Sequence, residues 1–476
     1  MQPGLRKNLL IFGVLAVLVF GGLNASEHYF EHARTKPVSP VLVVPFVLLL
    51  AAIAVVPFIS RRWWEHHYPK VSYGLGAVVV LYYIFFLENV PRLLLTFHEY
   101  VSFISLIGSL FVVAGGIHLD IRGKSAPYEN VVLLGFGAII ANLLGTTGAS
   151  MLLIRPFIRI NKFRIKAYHI VFFIFIVSNV GGALTPIGDP PLFLGYLKGV
   201  PFFWVVTRVW HIWAVAILAL LAVFFVIDTY SFRKVGGAVQ EEARVPDKPE
   251  FSGLHNIAYL MIILVAVFIS HPIMLREIIM WGAAFASYYT TKKTVHEKNE
   301  FNFIPIKEVG ILFAGIFATM VPALDWLELN SQSLGIVSPG QYYWGTGVLS
   351  SFLDNAPTYL NFLSAAFGLH GASVDNPDHM RAILGIATPA TLGLPVPLQE
   401  GVMAITEGSW KYVQAISVSA VFFGACTYIG NGPNFMVRSI AEHARVDCPS
   451  FFGFIAKYTI PVLIPLYLIV WLLFFQ

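Results

Sequence analysis

Long apolar blocks separated by short polar stretches recur from one end of the chain to the other. Many of them approach the ~20 residues that an α-helix needs to cross a bilayer. The pattern predicts helices near 8–24, 39–59, 71–91, 99–119, 167–197, 203–230, 255–271, 274–290, 307–325, 412–438 and 452–475. Two further apolar stretches, near 129–155 and 345–368, are too long for one crossing. They are also too short for two, which take about 40 residues. Both carry a polar Gly/Pro/Thr/Asn centre, which predicts re-entrant hairpins with tips buried in protein or lining a wet cavity. The predicted fold is all-α: a polytopic transmembrane bundle of about 11 helices, counting two that are broken.

Composition agrees with a membrane protein, since 57% of residues are hydrophobic and 12% charged, against about 25% charged in soluble domains. The net charge of +5 does not point to nucleic acid, because the basic residues sit in short loops between apolar blocks. There they set orientation. Arg61, Arg62 and Lys70, the 155–166 cluster, Arg233 with Lys234, Lys292 with Lys293, and Arg438 with Arg445 fall on one side, the cytoplasmic one. Stretches 24–38, 92–98 and 326–344 hold few basic residues and fall outside. The first hairpin then enters from the cytoplasm and the second from outside. Cys426 and Cys448 form neither a disulfide framework nor a paired metal motif, and both read as free thiols.

A repeat sharpens this picture. Gly182-Ala-Leu-Thr-Pro-Ile-Gly-Asp-Pro-Pro-Leu-Phe193 returns 242 residues later as Gly424-Ala-Cys-Thr-Tyr-Ile-Gly-Asn-Gly-Pro-Asn-Phe435, with seven of twelve positions identical. Interrupted hydrophobic segments at matching places in two halves point to a transporter's substrate site. The opposed hairpins give the halves opposite membrane orientation, as an inverted repeat requires. We divide the chain into an N-terminal segment 1–38, a first transmembrane repeat 39–230, a cytoplasmic linker 231–254 and a second, inverted repeat 255–476. Arg6 and Lys7 followed by Leu9–Phe20 and small residues have the order of a secretory signal and equally of a first helix; we favour a retained helix. Residues 369–411, with Asp375-Asn-Pro-Asp-His and Gly393-Leu-Pro-Val-Pro, are an insertion that the first half lacks, expected as an outside loop.

The candidate chemistry lies at the breaks. A helix from 167 cannot pass Gly181, Gly182, Gly188, Pro190 and Pro191 intact, nor can its counterpart pass Gly430, Gly432 and Pro433. A helix broken at depth exposes amides on one side and carbonyls on the other, and such ends bind ions. Asn179, Thr185, Thr427, Asn431 and Asn434 add neutral polar groups. A packed proline kink would account for the break but not for Asp189. A membrane-embedded aspartate costs roughly 2.5–3.5 kcal/mol and marks function by default; a wet helix cap is its plainer reading. Asn431 occupies the matching slot without charge. The outer hairpin offers Asp354, Asn355 and Thr358, and the inner one Thr146 and Thr147, so each half carries one carboxylate and each hairpin tip is expected to face the break of its own half. Arg208, Lys457, and Arg276 with Glu277, near helix ends, are expected to snorkel.

Asn179-Val-Gly-Gly-Ala, Ile187-Gly-Asp-Pro-Pro and Phe352-Leu-Asp-Asn-Ala-Pro-Thr resemble the ion-transporter superfamily, which groups arsenite permeases, D-type sodium/proton antiporters and citrate or dicarboxylate carriers. The similarity spans about 100–230 and 305–475, and the Leu-Asp-Asn-x-Pro-Thr hairpin is closest to the antiporters and the arsenite branch. The resemblance implies essential acids at Asp354 and Asp189, and a homodimer with scaffold helices near the amino end of each half. Dicarboxylate carriers use Ser-Asn-Thr at their tips, where this chain has Gly-Thr-Thr and Asp-Asn-Ala-Pro-Thr.

Two transport readings follow. In one, Asp354 and Asp189 alternately bind protons and Na⁺, because burial raises a carboxylate's pKa until a proton competes. In the other, half-helix amides hold citrate, a dicarboxylate or arsenite while the acids bind a coupling cation. No Arg or Lys lies in either constellation, which favours a cation. No resident cofactor is expected. A bacterial inner-membrane location is. His-Glu-x-x-His, Gly-x-Ser-x-Gly and Walker patterns are missing from the sequence, which disfavours an enzyme.

Overall fold

The computed structural model describes residues 33, 35–120, 125–234 and 250–476; the predicted 8–24 helix and most of the 231–254 linker lie outside the described residues. In chain order the helices are α1 (Val44–Ile59), α2 (Arg61–Phe85), α3 (Val90–Gly115), α4 (Pro127–Ile160), α5 (Ala167–Ile176), α6 (Pro190–Leu197) and α7 (Phe202–Arg233). They continue as α8 (Asn256–Ala266), α9 (Leu275–Thr290), α10 (Lys293–Lys298), α11 (Ile304–Asn330), α12 (Pro339–Phe352), α13 (Asn355–Leu369), α14 (Pro377–Ile383), α15 (Trp410–Phe423) and α16 (Gly432–His443). The short α17 (Phe451–Phe454) runs through a π-helical stretch, Ile455–Leu463, into α18 (Ile464–Phe474). Proline stands in the first turn of α1, α3, α4, α6, α11 and α12, where its missing N–H costs no helical hydrogen bond. Seven described helical stretches are long and apolar enough to cross a membrane.

Both hairpins form. In α4 the helix is interrupted at Gly145, at φ 73° and ψ 156°, a conformation that only glycine adopts without strain. A Cβ on Gly137 would lie 3.1 Å from Leu153 Cδ1, although a straight helix would hold residues so spaced about 24 Å apart. The second hairpin joins α12 to α13 through extended backbone at Leu353 and Asp354. There a Cβ on Gly345 would lie 2.9 Å from Phe362 Cε1. Both predicted breaks form as well. α5 gives way to a 3₁₀ turn, Val180–Leu184, before α6, and α15 to the turn Gly424–Cys426 before α16.

The hairpins and breaks interlock. Hairpin α4 packs on α16, the far arm of the second broken helix, and α13 packs on α6, the far arm of the first. Around them lie α2, α3, α9 and α11, with α2 against α11 and α3 against α9 and α11. A two-stranded antiparallel ribbon, β1 (His118–Asp120) and β2 (Glu250–Ser252), ties the α3–α4 connection to the start of the second half.

Buried charge pins the periphery. Arg164 Nη2 lies 2.9 Å from Asp228 Oδ2, and Tyr168 donates to Asp228 Oδ1 at 2.6 Å, fixing the base of the first hairpin to α7. Arg276 and Glu277 do not snorkel. They are 8% and 2% exposed and form an ion pair that also engages Ser102 of α3. Because α9 lies along α3, both head groups are sealed between helices.

Candidate functional site

The two 3₁₀ turns are built by one local rule. Thr185 Oγ1 donates to Asn142 O at 2.6 Å and accepts from Gly188 N at 3.1 Å. Thr427 Oγ1 donates to Ser351 O at 2.5 Å and accepts from Gly430 N at 3.1 Å. Each threonine ties its break to the hairpin of its own half and closes the turn. The turns admit no side chain, since a Cβ on Gly188 would meet Gly182 O at 2.1 Å and one on Gly430 would meet Gly424 O at 2.7 Å. Pro190 with Pro191, and Gly432 with Pro433, then open α6 and α16, whose N-caps are Asp189 and Asn431 in near-identical extended conformations.

Asp189 is fully buried and accepts from three different elements. Thr146, just past the first hairpin tip, donates to Oδ1 at 2.6 Å; Asn431, on the second break, donates to the same oxygen at 3.0 Å. Asn355, just past the second hairpin tip, donates to Oδ2 at 2.5 Å. Thr146 N also donates to Gly188 O at 2.8 Å. The carboxylate therefore holds both hairpins and the opposite break together. Its three side-chain partners among the described residues are neutral, so among these the charge is solvated by dipoles and not cancelled by a cation. The Oδ1 of Asn355 is buried with no hydrogen-bond partner among the described residues, an oxygen lone pair left open beside Asp189.

A second ring of amides surrounds this one. Asn179 Nδ2 donates to Asn434 Oδ1 at 2.6 Å, and Asn434 Nδ2 caps the freed carbonyls Gly424 O and Thr427 O at 2.7 and 2.8 Å. Asn431 Nδ2 also reaches Asn179 Oδ1 at 3.2 Å and Ser178 O at 3.3 Å.

Asp354 sits differently. It is half-buried, N-caps α13 by accepting from Ala356 N at 3.0 Å, and lies within Coulombic reach of Asp189. Thr358 donates to Asp354 O at 2.9 Å. Thr147 lines a cavity of about 30 Å³ against Asp189, between the first hairpin tip, Ile187 and α3. That volume is about one water or one small ion. Among the described residues no Arg or Lys hydrogen-bonds to Asp189, Asp354, Asn355 or Asn431.

The residues proposed from sequence thus fall into three groups. Asp189, Thr146, Asn355, Asn431, Asn179 and Asn434 share one network; Thr185, Thr427 and Thr358 serve the backbone; Asp354 caps α13 and Thr147 lines the cavity. The second hairpin does not face its own break alone: its backbone meets Thr427, but its Asn355 crosses to Asp189.

Asn142, which opens the polar stretch of the first hairpin, was not among the candidate residues, yet it accepts from Leu184 N at 2.9 Å and donates to Gly181 O at 2.7 Å. The sequence offers no sign of Trp213, donating to Gly181 O at 3.0 Å, or of Thr459, donating to Cys426 O at 2.7 Å. Asn142 carried a signal, as an amide opening the hairpin motif. Trp213 and Thr459 carried none.

Comparison with known proteins points to a transporter. An uncharacterized transporter of Mycobacterium tuberculosis is 23% identical over 356 residues, covering 71% of this chain and 74% of the relative. An uncharacterized transporter of Mycobacterium bovis matches to the same extent. The chain is an integral, multi-pass membrane transporter, and through residues 35–475 it belongs to the family described as "Putative citrate transport".

Proposed function

We propose that the chain is a secondary transporter that exchanges Na⁺ for H⁺ at a site centred on Asp189, with Asp354 as the second acid. The observation that carries this reading is a fully buried carboxylate held, among the described residues, only by neutral donors, next to an amide oxygen of Asn355 that has no partner among them. Such a site neutralises its charge by taking up either a proton or a hard cation, and the two compete for the same oxygens. Asp189 and Asn355 Oδ1 supply oxygen ligands of the kind Na⁺ takes, with the Thr146 and Thr147 hydroxyls beside them. The halves, 39–230 and 255–476, would act as inverted repeats that place this site at mid-membrane.

A second reading is favoured by the family description, citrate transport. In it the N-terminal amides of α6 and α16 hold a carboxylate and the acids hold a coupling cation. One experiment separates the two. Purified protein in liposomes with an internal pH dye is challenged in turn with Na⁺, Li⁺, citrate and arsenite. Exchange driven by Na⁺ or Li⁺ alone is expected, and Asp354→Asn is expected to abolish it while the protein still elutes as a folded species. Wild-type turnover by that variant removes Asp354 from the mechanism. A response to citrate with none to Na⁺ alone transfers the assignment to the second reading.

A further inference from the structure

Away from the central site, a chain of alternating charge is sealed inside the outer half of the molecule. Lys198 follows the last residue of α6, so a single eight-residue helix carries Asp189 at one end and Lys198 at the other. Lys198 Nζ lies 2.6 Å from Glu99 Oε1 of α3 and 2.6 Å from Asp375 Oδ1, in the loop after α13. Asp375 pairs in turn with Arg92 at the start of α3. Arg92 lies 2.9 Å from Asp325 of α11, which also accepts from Tyr83 of α2 at 2.8 Å. Glu328 of α11 flanks the chain, accepting from Thr35 at 2.7 Å and from Val374 N at 3.3 Å. Arg92, Glu99, Lys198 and Asp325 are 1, 5, 7 and 0% exposed.

The distribution of these residues decides what the chain can do. Lys198 and Asp375 belong to the interlocked site-bearing elements, the first broken helix and the loop of the second hairpin. Glu99, Arg92, Asp325 and Tyr83 belong to the surrounding helices α2, α3 and α11. Two of the contacts between the groups, Lys198–Glu99 and Asp375–Arg92, are ionic, buried and on the side that the basic-residue pattern places outside. If the site-bearing elements move against the surrounding helices, as alternating access requires, both contacts must open. Burial by itself would raise the Asp375 carboxyl, but Arg92 and then Lys198 outweigh it and hold that group below the ordinary carboxylate range. Its share of the chain is therefore present above about pH 4 and lost only in stronger acid.

We propose that this ionic chain is an outer latch, and that Lys198 is a positioning residue that holds the Asp189 helix against α3 while the outer path is closed. The proposal rests on the transport reading, and its test separates the two. In the double variant Glu99→Cys/Lys198→Cys, which removes one charge of each sign, a short bifunctional thiol reagent is expected to join α3 to the end of α6. Linking should stop Na⁺-driven exchange in liposomes, and cleavage of the linker should restore it, with each single variant as control. Continued exchange under complete linking overturns the latch.

A second arm needs no cargo. Thr147→Cys serves as a reporter of the cavity beside Asp189, labelled from outside with a membrane-impermeant maleimide. Adding Lys198→Met is expected to raise the outside labelling rate about tenfold, and Lys198→Arg to leave it near the parent value. An unchanged rate in the Lys198→Met background overturns the proposal. Loss of exchange for every ion tested, with the labelling difference intact, counts against the cargo assignment and leaves the latch standing.

Discussion

At residues 182–193 and 424–435 the backbone performs the same manoeuvre twice, with a threonine closing a glycine turn and an extended N-cap residue opening a short helix. The first copy puts a carboxylate at the cap and the second an amide. That one-atom difference gives the halves unlike work. Asp189 accepts from both hairpins and from Asn431, whereas Asn431 donates to Asp189, Asn179 and Ser178 O. A carboxylate accepts only, and an amide also donates, so the pair is complementary where two aspartates would repel and two asparagines would hold no charge. Symmetry in the backbone supplies two matched breaks, and asymmetry in one side chain leaves a buried carboxylate at only one of them.

Making the breaks alike should have the largest effect. Asp189→Asn turns the first break into a copy of the second and removes the charge that a cation would replace a proton on. Na⁺-driven exchange in liposomes is expected to fall to background, with normal elution in detergent. Retained exchange would show that the first break owes nothing to its carboxylate.

The converse change, Asn431→Asp, sets a second carboxylate 3.0 Å from the first. Two acids at such range cannot both ionise easily, so one proton should be shared between them. Exchange should survive only at higher pH than in wild type, and a pH profile of initial rates checks this.

Removing one of the bonds that cross between halves comes next. Asn355→Ala deletes a hydrogen bond to a charged group, worth about 1.5–3 kcal/mol. The apparent KM for Na⁺ should rise roughly 10- to 100-fold, with a smaller change in maximal rate. An unchanged KM would mean that Asn355 only packs.

The smallest effects concern how each break is capped. Thr459→Val leaves Cys426 O without its hydroxyl donor, a buried orphan costing about 1–3 kcal/mol. Trp213→Phe should cost less, because Gly181 O keeps its bond from Asn142. Thermal unfolding in detergent should therefore rank Thr459→Val below Trp213→Phe.

Much of this was legible in the sequence because it is local. Apolar block length gives the membrane spans, and the two elements that break their helices, Gly181-Gly182 with Pro190-Pro191 and Gly430 with Gly432-Pro433, act through their own backbone geometry. The hairpins at Gly145 and at Leu353-Asp354 were visible for the same reason: apolar blocks of a length that fits neither one crossing nor two, with polar centres. Asp189 and Asn431 stood out as the single chemical contrast within a repeat. Arg276 and Glu277 were misread because nothing in their own neighbourhood says that α9 lies along α3.

Sequence alone therefore determined the membrane character of the chain, its paired breaks, its hairpins and the carboxylates it had to place. Only the tertiary structure decided that Asn355 reaches across to Asp189, and that Lys198 and Arg92 meet Asp375 from 177 and 283 residues away. The reason is physical. Helix, turn and break are encoded within a few residues by backbone sterics and hydropathy, but the partner of a buried charge is chosen by which helices pack together. That packing depends on the shape of the whole bundle.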